Sequence, residues 1–217
     1  MIRLENLTKS YIVGHKRQFI FQNLNMEIPT GKALALLGRN GAGKSTLLNI
    51  ISGAIPADSG RVTTDGSMSW PVGFGGSLNR EMTGQQNVRF VARVYGVDTQ
   101  TLEGFVRNFS ELGEHFFSPV RTYSSGMKAR LGFGLSMGIP FDTYLIDETT
   151  AVGDARFTRK SRTVFRQRVQ NAGAIMVSHQ MKVVRSFCEN GLLMHNGQLT
   201  YFEDIDEAIA LHLKLNG

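Results

Sequence analysis

The chain has 217 residues, of which 41% are hydrophobic and 19% are charged, and this balance excludes both a disordered chain and a membrane-embedded one. A folded chain of this length buries roughly 70% of the surface that its unfolded form exposes, so we expect a domain with its own core. The single cysteine, Cys188, excludes an internal disulfide and a cysteine-based zinc cluster, and is interpreted as a small core residue. Because the sequence has no bilayer-spanning apolar run and no secretory signal, we expect a soluble cytoplasmic protein.

The net charge of +6 is compatible with nucleic acid or an anionic membrane surface as a partner. The basic residues are scattered, however, and aromatic residues do not alternate with them in the pattern that stacks nucleic-acid bases. A basic stretch over residues 156–168 is interpreted as a solvated helix face. We therefore expect no nucleic-acid partner.

The first third of the chain predicts three strands and a helix. Residues 2–7 and 19–28 alternate apolar and polar positions, and a Pro-Thr-Gly turn stops the second run. Residues 33–37 form a short continuous apolar run, which is typical of a strand buried on both faces of a parallel or mixed sheet. After a glycine-rich segment, residues 44–51 predict a helix that Ser52 and Gly53 close.

The middle of the chain changes from strands to helices, which predicts a helical subdomain inserted at about residues 82–140 between two sheet-forming halves. Beyond it, the Asn196-Gly197 pair predicts a β-hairpin, and Asp204 predicts the cap of a last helix. Together these elements predict an α/β fold. The predicted helices of this part are 88–95, 102–112, 125–137 and 156–170, and the predicted strands are 144–146 and 174–177.

The glycine-rich segment has the complete pattern of a phosphate-binding loop between a strand and a helix. Its glycines let backbone N–H groups curl around anionic oxygens, and the helix points its positive dipole end at the same oxygens. A loop that serves packing alone would not need Lys44, which adds a charge toward the outer phosphates, or Ser45, whose hydroxyl is positioned for Mg²⁺. The predicted ATP-binding residues are Gly38, Arg39, Asn40, Gly41, Ala42, Gly43, Lys44, Ser45 and Thr46.

An acidic pair, Asp147 and Glu148, follows the predicted strand at 144–146. Two carboxylates directly after an apolar strand are costly unless a cation or a solvent-filled cleft meets them. Asp147 is therefore predicted to bind Mg²⁺, directly or through water, and Glu148 to take a proton from an attacking water. A surface turn after a strand is the alternative, which the phosphate-binding loop argues against.

Further segments resemble the motifs of one family, the ABC transporter ATPases. Residues 123–128, which read Tyr-Ser-Ser-Gly-Met-Lys, resemble the family's signature motif, and residues 151–154 resemble its D-loop, which ends in Asp154. His179, after a predicted strand, is similar to the family's switch histidine. Tyr11 is similar in placement to the aromatic residue that stacks on adenine. The other histidines, at positions 15, 115, 195 and 212, have no ligand spacing and are treated as ordinary.

The resemblance implies a P-loop NTPase fold of the ABC type over residues 1–217. Such a domain has a mixed-sheet, RecA-like core, an N-terminal antiparallel β part and the inserted helical subdomain. The motifs are particularly similar to those of ATP-binding subunits of polysaccharide exporters, above all the capsular polysaccharide exporters of Gram-negative bacteria. Related O-antigen exporters often append a carbohydrate-binding domain, so a sequence ending at Gly217 favours the capsular branch.

The sequence departs from the family pattern at two positions. The Q-loop glutamine, which senses Mg²⁺ and the permease, is matched by Asn79, whose side chain is one methylene shorter. Ser125 replaces the first glycine of the commonest signature. Ser124 and Gly126 keep the hydroxyl and the backbone N–H that face the γ-phosphate in the family.

The family also implies how the site is completed. Two copies pair head to tail, so that each ATP and its Mg²⁺ lie between the phosphate-binding loop of one copy and the signature of the other. Glu148 and His179 are the implied catalytic residues. The implied partners are a second copy, an integral membrane permease and, through it, periplasmic and outer-membrane export components, with the protein at the cytoplasmic face of the inner membrane. The signature residues that contact ATP across the dimer are Ser124, Ser125, Gly126 and Met127.

Three alternatives stay open at this point. The ATPase could serve an O-antigen, teichoic-acid or other polysaccharide exporter. A non-transport ABC ATPase acting on DNA or ribosomes would use the same chemistry, but commonly carries a coiled-coil insertion or a duplicated cassette. A nucleotide-binding regulator without turnover would leave Glu148 and His179 without a role.

Overall fold

The computed structural model describes residues 1–72, 78–147 and 155–216. The described part of the chain mixes strands and helices, and two short 3₁₀ helices, Gly113–Phe117 and Val120–Thr122, directly precede α4. The strands are β1 (Ile2–Val13), β2 (Lys16–Ile28), β3 (Ala33–Gly38), β4 (Ser59–Thr64), β5 (Met68–Pro71), β6 (Thr143–Asp147), β7 (Gly173–Val177), β8 (Asn190–His195) and β9 (Gln198–Phe202). The helices are α1 (Lys44–Ile51), α2 (Gly84–Val94), α3 (Thr99–Ser110), α4 (Ser125–Gly138), α5 (Ala155–Gln170), α6 (Met181–Phe187) and α7 (Ile205–Asn216).

The chain divides into two compact units. The first unit comprises Met1–Pro71, Phe141–Glu148 and Val169–Gly217, and contains both sheets. The second comprises Val72–Pro140 and Thr149–Arg168, and contains α2, α3 and α4.

The six-stranded sheet of the first unit has the order β5-β6-β7-β3-β8-β9. All neighbouring pairs are parallel except β8 and β9, which form an antiparallel hairpin. Asn196 and Gly197 both have positive φ, as the two-residue turn of this hairpin requires. Because β3, β6 and β7 are parallel, their carboxyl ends meet at one edge, where the segments after them converge.

The antiparallel sheet of the first unit has the order β2-β1-β4. Inward-facing residues of this sheet, α1 and the parallel strands form one hydrophobic cluster, which contains Leu4, Phe21, Leu47 and Leu145 among others. Continuous burial of β7 explains its unbroken apolar sequence, since a parallel strand is covered on both faces. Cys188 is buried as predicted, and burial raises the pKa of its thiol to about 12.

Aromatic stacking and glycine contacts hold the second unit together. The ring of Phe109 in α3 lies 5.7 Å from Phe133 of α4 and 5.2 Å from Phe157 of α5, measured between centroids. A Cβ on Gly134 would lie 3.2 Å from Phe109, so glycine lets α4 approach α3 closely.

The predicted α/β fold, with a mixed sheet and an antiparallel N-terminal part, is confirmed. The sequence analysis did not predict β4, β5 or α6, and it ended the first strand too early, since β1 continues to Val13. No helix within the described ranges is long and apolar enough to cross a bilayer.

Candidate nucleotide site

The phosphate-binding loop joins β3 to α1, and its path depends on glycine. Gly38, Gly41 and Gly43 have φ angles of 152°, 79° and 101°, which residues with side chains rarely adopt. A Cβ on Gly38 would lie 2.6 Å from the carbonyl oxygen of Met194, and a Cβ on Gly43 would overlap Ile20. Both backbone conformation and space therefore require glycine at the two ends of the loop.

The start of α1 has the properties of an anion site. Gly43 is its N-cap and provides no side-chain hydrogen bond to the first turn, which reads Lys-Ser-Thr. Lys44 is buried, and its Nζ donates to the carbonyl oxygens of Gly38 and Arg39, both at 2.8 Å. An ammonium group and the positive end of a helix thus lie at the same loop, where they stabilise negative charge.

A cleft of about 480 Å³ borders this loop, a volume typical of ligand pockets. Tyr11 does not line this cleft. Its partner across the β1–β2 pair, Gln18, does line it. Tyr11 is 42% exposed, and the ammonium of Lys9 lies 5.4 Å from the centroid of its ring. Its contact with adenine stays a prediction. The cleft is lined by Gln18, Phe19, Ile20, Phe21, Gln22, Arg39, Asn40, Gly41, Ala42, Met194, His195, Asn196, Gly197 and Gln198.

Two further predicted site residues lie at the carboxyl edge of the parallel sheet. Asp147 is the last residue of β6, is half-buried, and pairs with Val177, the last residue of β7. His179 follows β7 by two residues and is exposed. The sheet therefore brings Asp147, His179 and the phosphate-binding loop to one edge, as the motif order predicts. Glu148 and Asp154 lie outside the described residues.

The predicted signature residues lie at the start of α4 in the second unit. Ser124 is the N-cap, and its hydroxyl accepts a hydrogen bond from the Met127 N–H at 3.2 Å. Among the described residues outside its own helix backbone, a Cβ on Gly126 would meet only the Ser124 hydroxyl oxygen, at 3.9 Å, so there is space for a ligand to approach this position. Ser124, Gly126 and Met127 line a cavity of about 240 Å³ together with Glu111, Leu112, His115 and Arg130.

Asn79 takes part in a turn of the second unit. Its Oδ1 accepts a hydrogen bond from the Glu81 N–H at 3.0 Å, and its backbone N–H donates to Asn87 Oδ1 at 2.8 Å. The carboxamide oxygen predicted to reach Mg²⁺ is therefore engaged in a local hydrogen bond in this structure, and the metal role stays a prediction.

Sequence reasoning missed three histidines at these sites. His195 lines the cleft beside the phosphate-binding loop, and His115 lines the cavity beside the signature residues. His212, on α7, lies close enough to Lys44 and His179 that, after burial, their charges lower its pKa. For His212 a signal was present, since it continues the apolar stripe of Ile205 and Ile209 at helical spacing.

Comparisons with known proteins agree with this geometry. The sequence profile of the ABC transporter family matches residues 21–151. The chain is 47% identical to the polysialic acid transport ATP-binding protein KpsT of Escherichia coli, over 96% of this chain and 95% of that one. It is 40% identical to the capsule polysaccharide export ATP-binding protein CtrD of Neisseria meningitidis serogroup B, over 96% of each.

Among solved structures, the dimeric ATP-binding cassette MJ0796, bound to ADP and phosphate in a post-hydrolysis state, has the same fold. The TM-score is 0.76 at 22% identity, over 94% of this chain and 99% of that one. The phosphate-binding loop, the acidic end of β6 and the histidine after β7 thus lie on a fold that this chain shares with the solved cassette. The chain belongs to the ABC transporter family, in the group of ATP-binding proteins that includes KpsT and CtrD.

Proposed function

We propose that this chain is the ATP-hydrolysing subunit of an ABC exporter that drives capsular polysaccharide across the inner membrane through a separate permease. The observation that carries the proposal is the loop at β3–α1, where the ammonium of Lys44 and an uncapped helix start converge. Two relatives that match almost the whole chain are named for export of polysialic acid and of capsule polysaccharide, which supports this cargo class over other polysaccharides.

The residues present fit a nucleotide with its magnesium ion. Ser45 presents an exposed hydroxyl in the first turn of α1, and Asp147 ends β6 at the same sheet edge, one strand removed from β3. Hydroxyl and carboxylate oxygens are the ligands that Mg²⁺ prefers. In the proposal Ser45 and Asp147 would hold the ion, assisted by Asn79, and the ion would supply positive charge to the outer phosphate oxygens.

The chain's own groups then perform the chemistry. Lys44 exchanges its two carbonyl partners for phosphate oxygens, and the N–H groups at the start of α1 orient the terminal phosphate. Glu148 accepts the proton of the attacking water, and His179 stabilises the charge that develops on the phosphoryl group. Tyr11 stacks on the adenine.

The proposed active assembly is a head-to-tail homodimer. Ser124, Ser125, Gly126 and Met127 start a helix whose first turn contains no acidic residue, a suitable surface for the phosphates bound to another copy. Asp154 lies in the D-loop of this proposal. The solved cassette MJ0796 is described as a dimer with ADP and phosphate, which supports such an assembly.

An apolar surface on α2 supports the permease as a partner. Phe90 and Val94, one helical turn apart, are 57% and 62% exposed, and the neighbouring Tyr95 is 45% exposed. Large apolar side chains on one helix face are costly in water and typical of binding sites. In the proposal this face binds the permease and holds the subunit at the cytoplasmic side of the inner membrane. Periplasmic and outer-membrane components are reached through the permease.

Glu148→Gln tests the proposed assembly and the general base together. This variant retains ATP binding but cannot activate water, so we expect it to accumulate as an ATP-held dimer in size-exclusion chromatography. Glu114→Gln, which changes an exposed glutamate of the second unit, is the matched control. Near-normal turnover of Glu148→Gln would contradict the role of Glu148.

Lys44→Ala tests the loop itself. The variant removes the ammonium group that donates to two carbonyl oxygens of the loop. We therefore expect tight ATP binding to be lost in isothermal titration calorimetry. Lys182→Ala removes an exposed lysine as the control. Unchanged nucleotide affinity in Lys44→Ala would refute the assignment of the loop.

A further inference from the structure

The last helix, α7, is fixed along β8 by contacts at its start. The Ile205 N–H donates to the carbonyl oxygen of Glu189 at 2.9 Å, directly before β8. A Cβ on Gly191 would lie only 2.5 Å from the Cβ of Ala208, so the helix lies directly on the strand there. Contacts with Glu189 and then Gly191 show that α7 runs along β8 toward the carboxyl end of the strand.

This path carries His212 to the nucleotide site. His212 is four positions after Ala208 in the helix, a rise of about 6 Å, which equals the length of roughly two strand residues. Starting from Gly191, that places His212 level with Leu193, whose partner in β3 is Leu37. The next residue of β3 is Gly38, whose carbonyl oxygen holds the ammonium of Lys44.

The helix face and the electrostatics agree with this position. Ile205, Ala208 and Ile209 are buried, and His212 follows at the spacing that continues the same face toward the sheet. Burial is the largest cause that lowers the pKa of His212, followed by the charges of Lys44 and His179. The strand register also brings His179 to this level, because Ala35 of β3 pairs with Met176 of β7 and the chain therefore reaches His179 at the same edge as Gly38. Helix α7 contacts α6, which begins two residues after His179.

We propose that His212 is a positioning residue that orients the ring of His179 toward the terminal phosphate of the nucleotide. A neutral imidazole has one N–H donor and one acceptor, and can fix the tautomer and orientation of a neighbouring ring. The inference rests on the proposed ATPase function. It makes the final helix a part of the nucleotide site rather than only a cover for the sheet.

The kinetic test compares His212→Ala and His212→Gln with His15→Ala, a control at an exposed histidine in the turn between β1 and β2. Loss of one orienting hydrogen bond predicts a decrease in kcat of roughly three- to tenfold, with KM for ATP changed less than about twofold. Glutamine keeps a donor and an acceptor, so we expect it to recover part of kcat. Wild-type kcat in both His212 variants would overturn the inference.

A second readout separates positioning from a structural role and does not need turnover. In protein with ¹⁵N-labelled histidine, five rings are observed. The ring signals of His179 are expected to shift in His212→Gln and to stay in place in His15→Ala. Unmoved His179 signals in folded His212→Gln would overturn the inference. If the wild-type protein had no ATP turnover while the His179 signals still shifted in His212→Gln, the proposed function alone would be refuted.

Discussion

Replacement of Gly43 by alanine tests whether the phosphate-binding loop is held by packing as well as by conformation. Gly43 has φ of 101°, and a Cβ there would overlap the Cγ2 atom of Ile20 and approach the sulfur of Met194 at 3.6 Å. Gly41 is the matched control, because its φ is also positive, at 79°, but no atom of the described residues, its two chain neighbours aside, lies within 4 Å of its Cβ position.

The two variants separate two costs. An L side chain in the left-handed region costs about 1–2 kcal/mol, which applies to both positions. Overpacking against a core side chain adds about 1–3 kcal/mol at Gly43 only. We therefore expect Gly43→Ala to lose roughly 2–5 kcal/mol, against about 1–2 kcal/mol for Gly41→Ala.

Urea unfolding with far-UV circular dichroism measures both free energies. Ile20→Ala should rescue Gly43→Ala in the double variant by roughly 1–2 kcal/mol beyond additivity, because it removes the overlapping atoms. The same substitution should not rescue Gly41→Ala. Equal destabilisation by the two glycine variants, with additive behaviour toward Ile20, would refute the reasoning.

Three other perturbations have defined outcomes. Asn79→Gln should leave ATP affinity within about twofold in calorimetry but alter hydrolysis coupled to the permease, and identical coupled rates would leave Asn79 without a special role. Ser10→Ala removes the hydroxyl that, as the largest cause, lowers the pKa of Asp58. The difference in unfolding free energy from wild type should therefore be present well above pH 3.8 and vanish as the pH falls through the native pKa of Asp58. Urea titrations above and below that pKa measure it. A difference that does not depend on pH would contradict this. Cys188, with its pKa raised to about 12 by burial, should react with iodoacetamide only when the chain unfolds, and fast labelling of native protein would contradict its burial.

Much of the fold could be predicted because strong local signals agree with it. The predicted helix at 44–51 has the bounds of α1, since a buried strand, glycines with positive φ and the Lys-Ser-Thr turn leave little freedom. The Asn-Gly turn of the β8–β9 hairpin is equally local. In contrast, β4 has a mostly exposed sequence, and it is a strand because it pairs with β1 across more than 50 residues.

The site was predictable in its motifs but not in its partners. The residue types and the order of the motifs predicted Lys44, Asp147 and His179 at one sheet edge, because the carboxyl ends of parallel strands lie at the same edge. That the Lys44 ammonium would bind two carbonyl oxygens depends on loop geometry, which spacing does not specify. The apolar stripe of α7 indicates which face carries His212, but the level of His212 along the sheet depends on Gly191, which allows α7 to lie close to β8.

The two carbonyl bonds of Lys44 have a consequence for how a ligand enters. Because the Lys44 ammonium already binds two main-chain oxygens, the loop is ordered before a ligand arrives. An incoming phosphate therefore replaces those oxygens and does not have to order a flexible segment. Little ordering entropy is then lost on association. Capture of the anion should accordingly be rapid and driven by enthalpy, with a rate that responds to ionic strength more than to viscogens that slow loop motion.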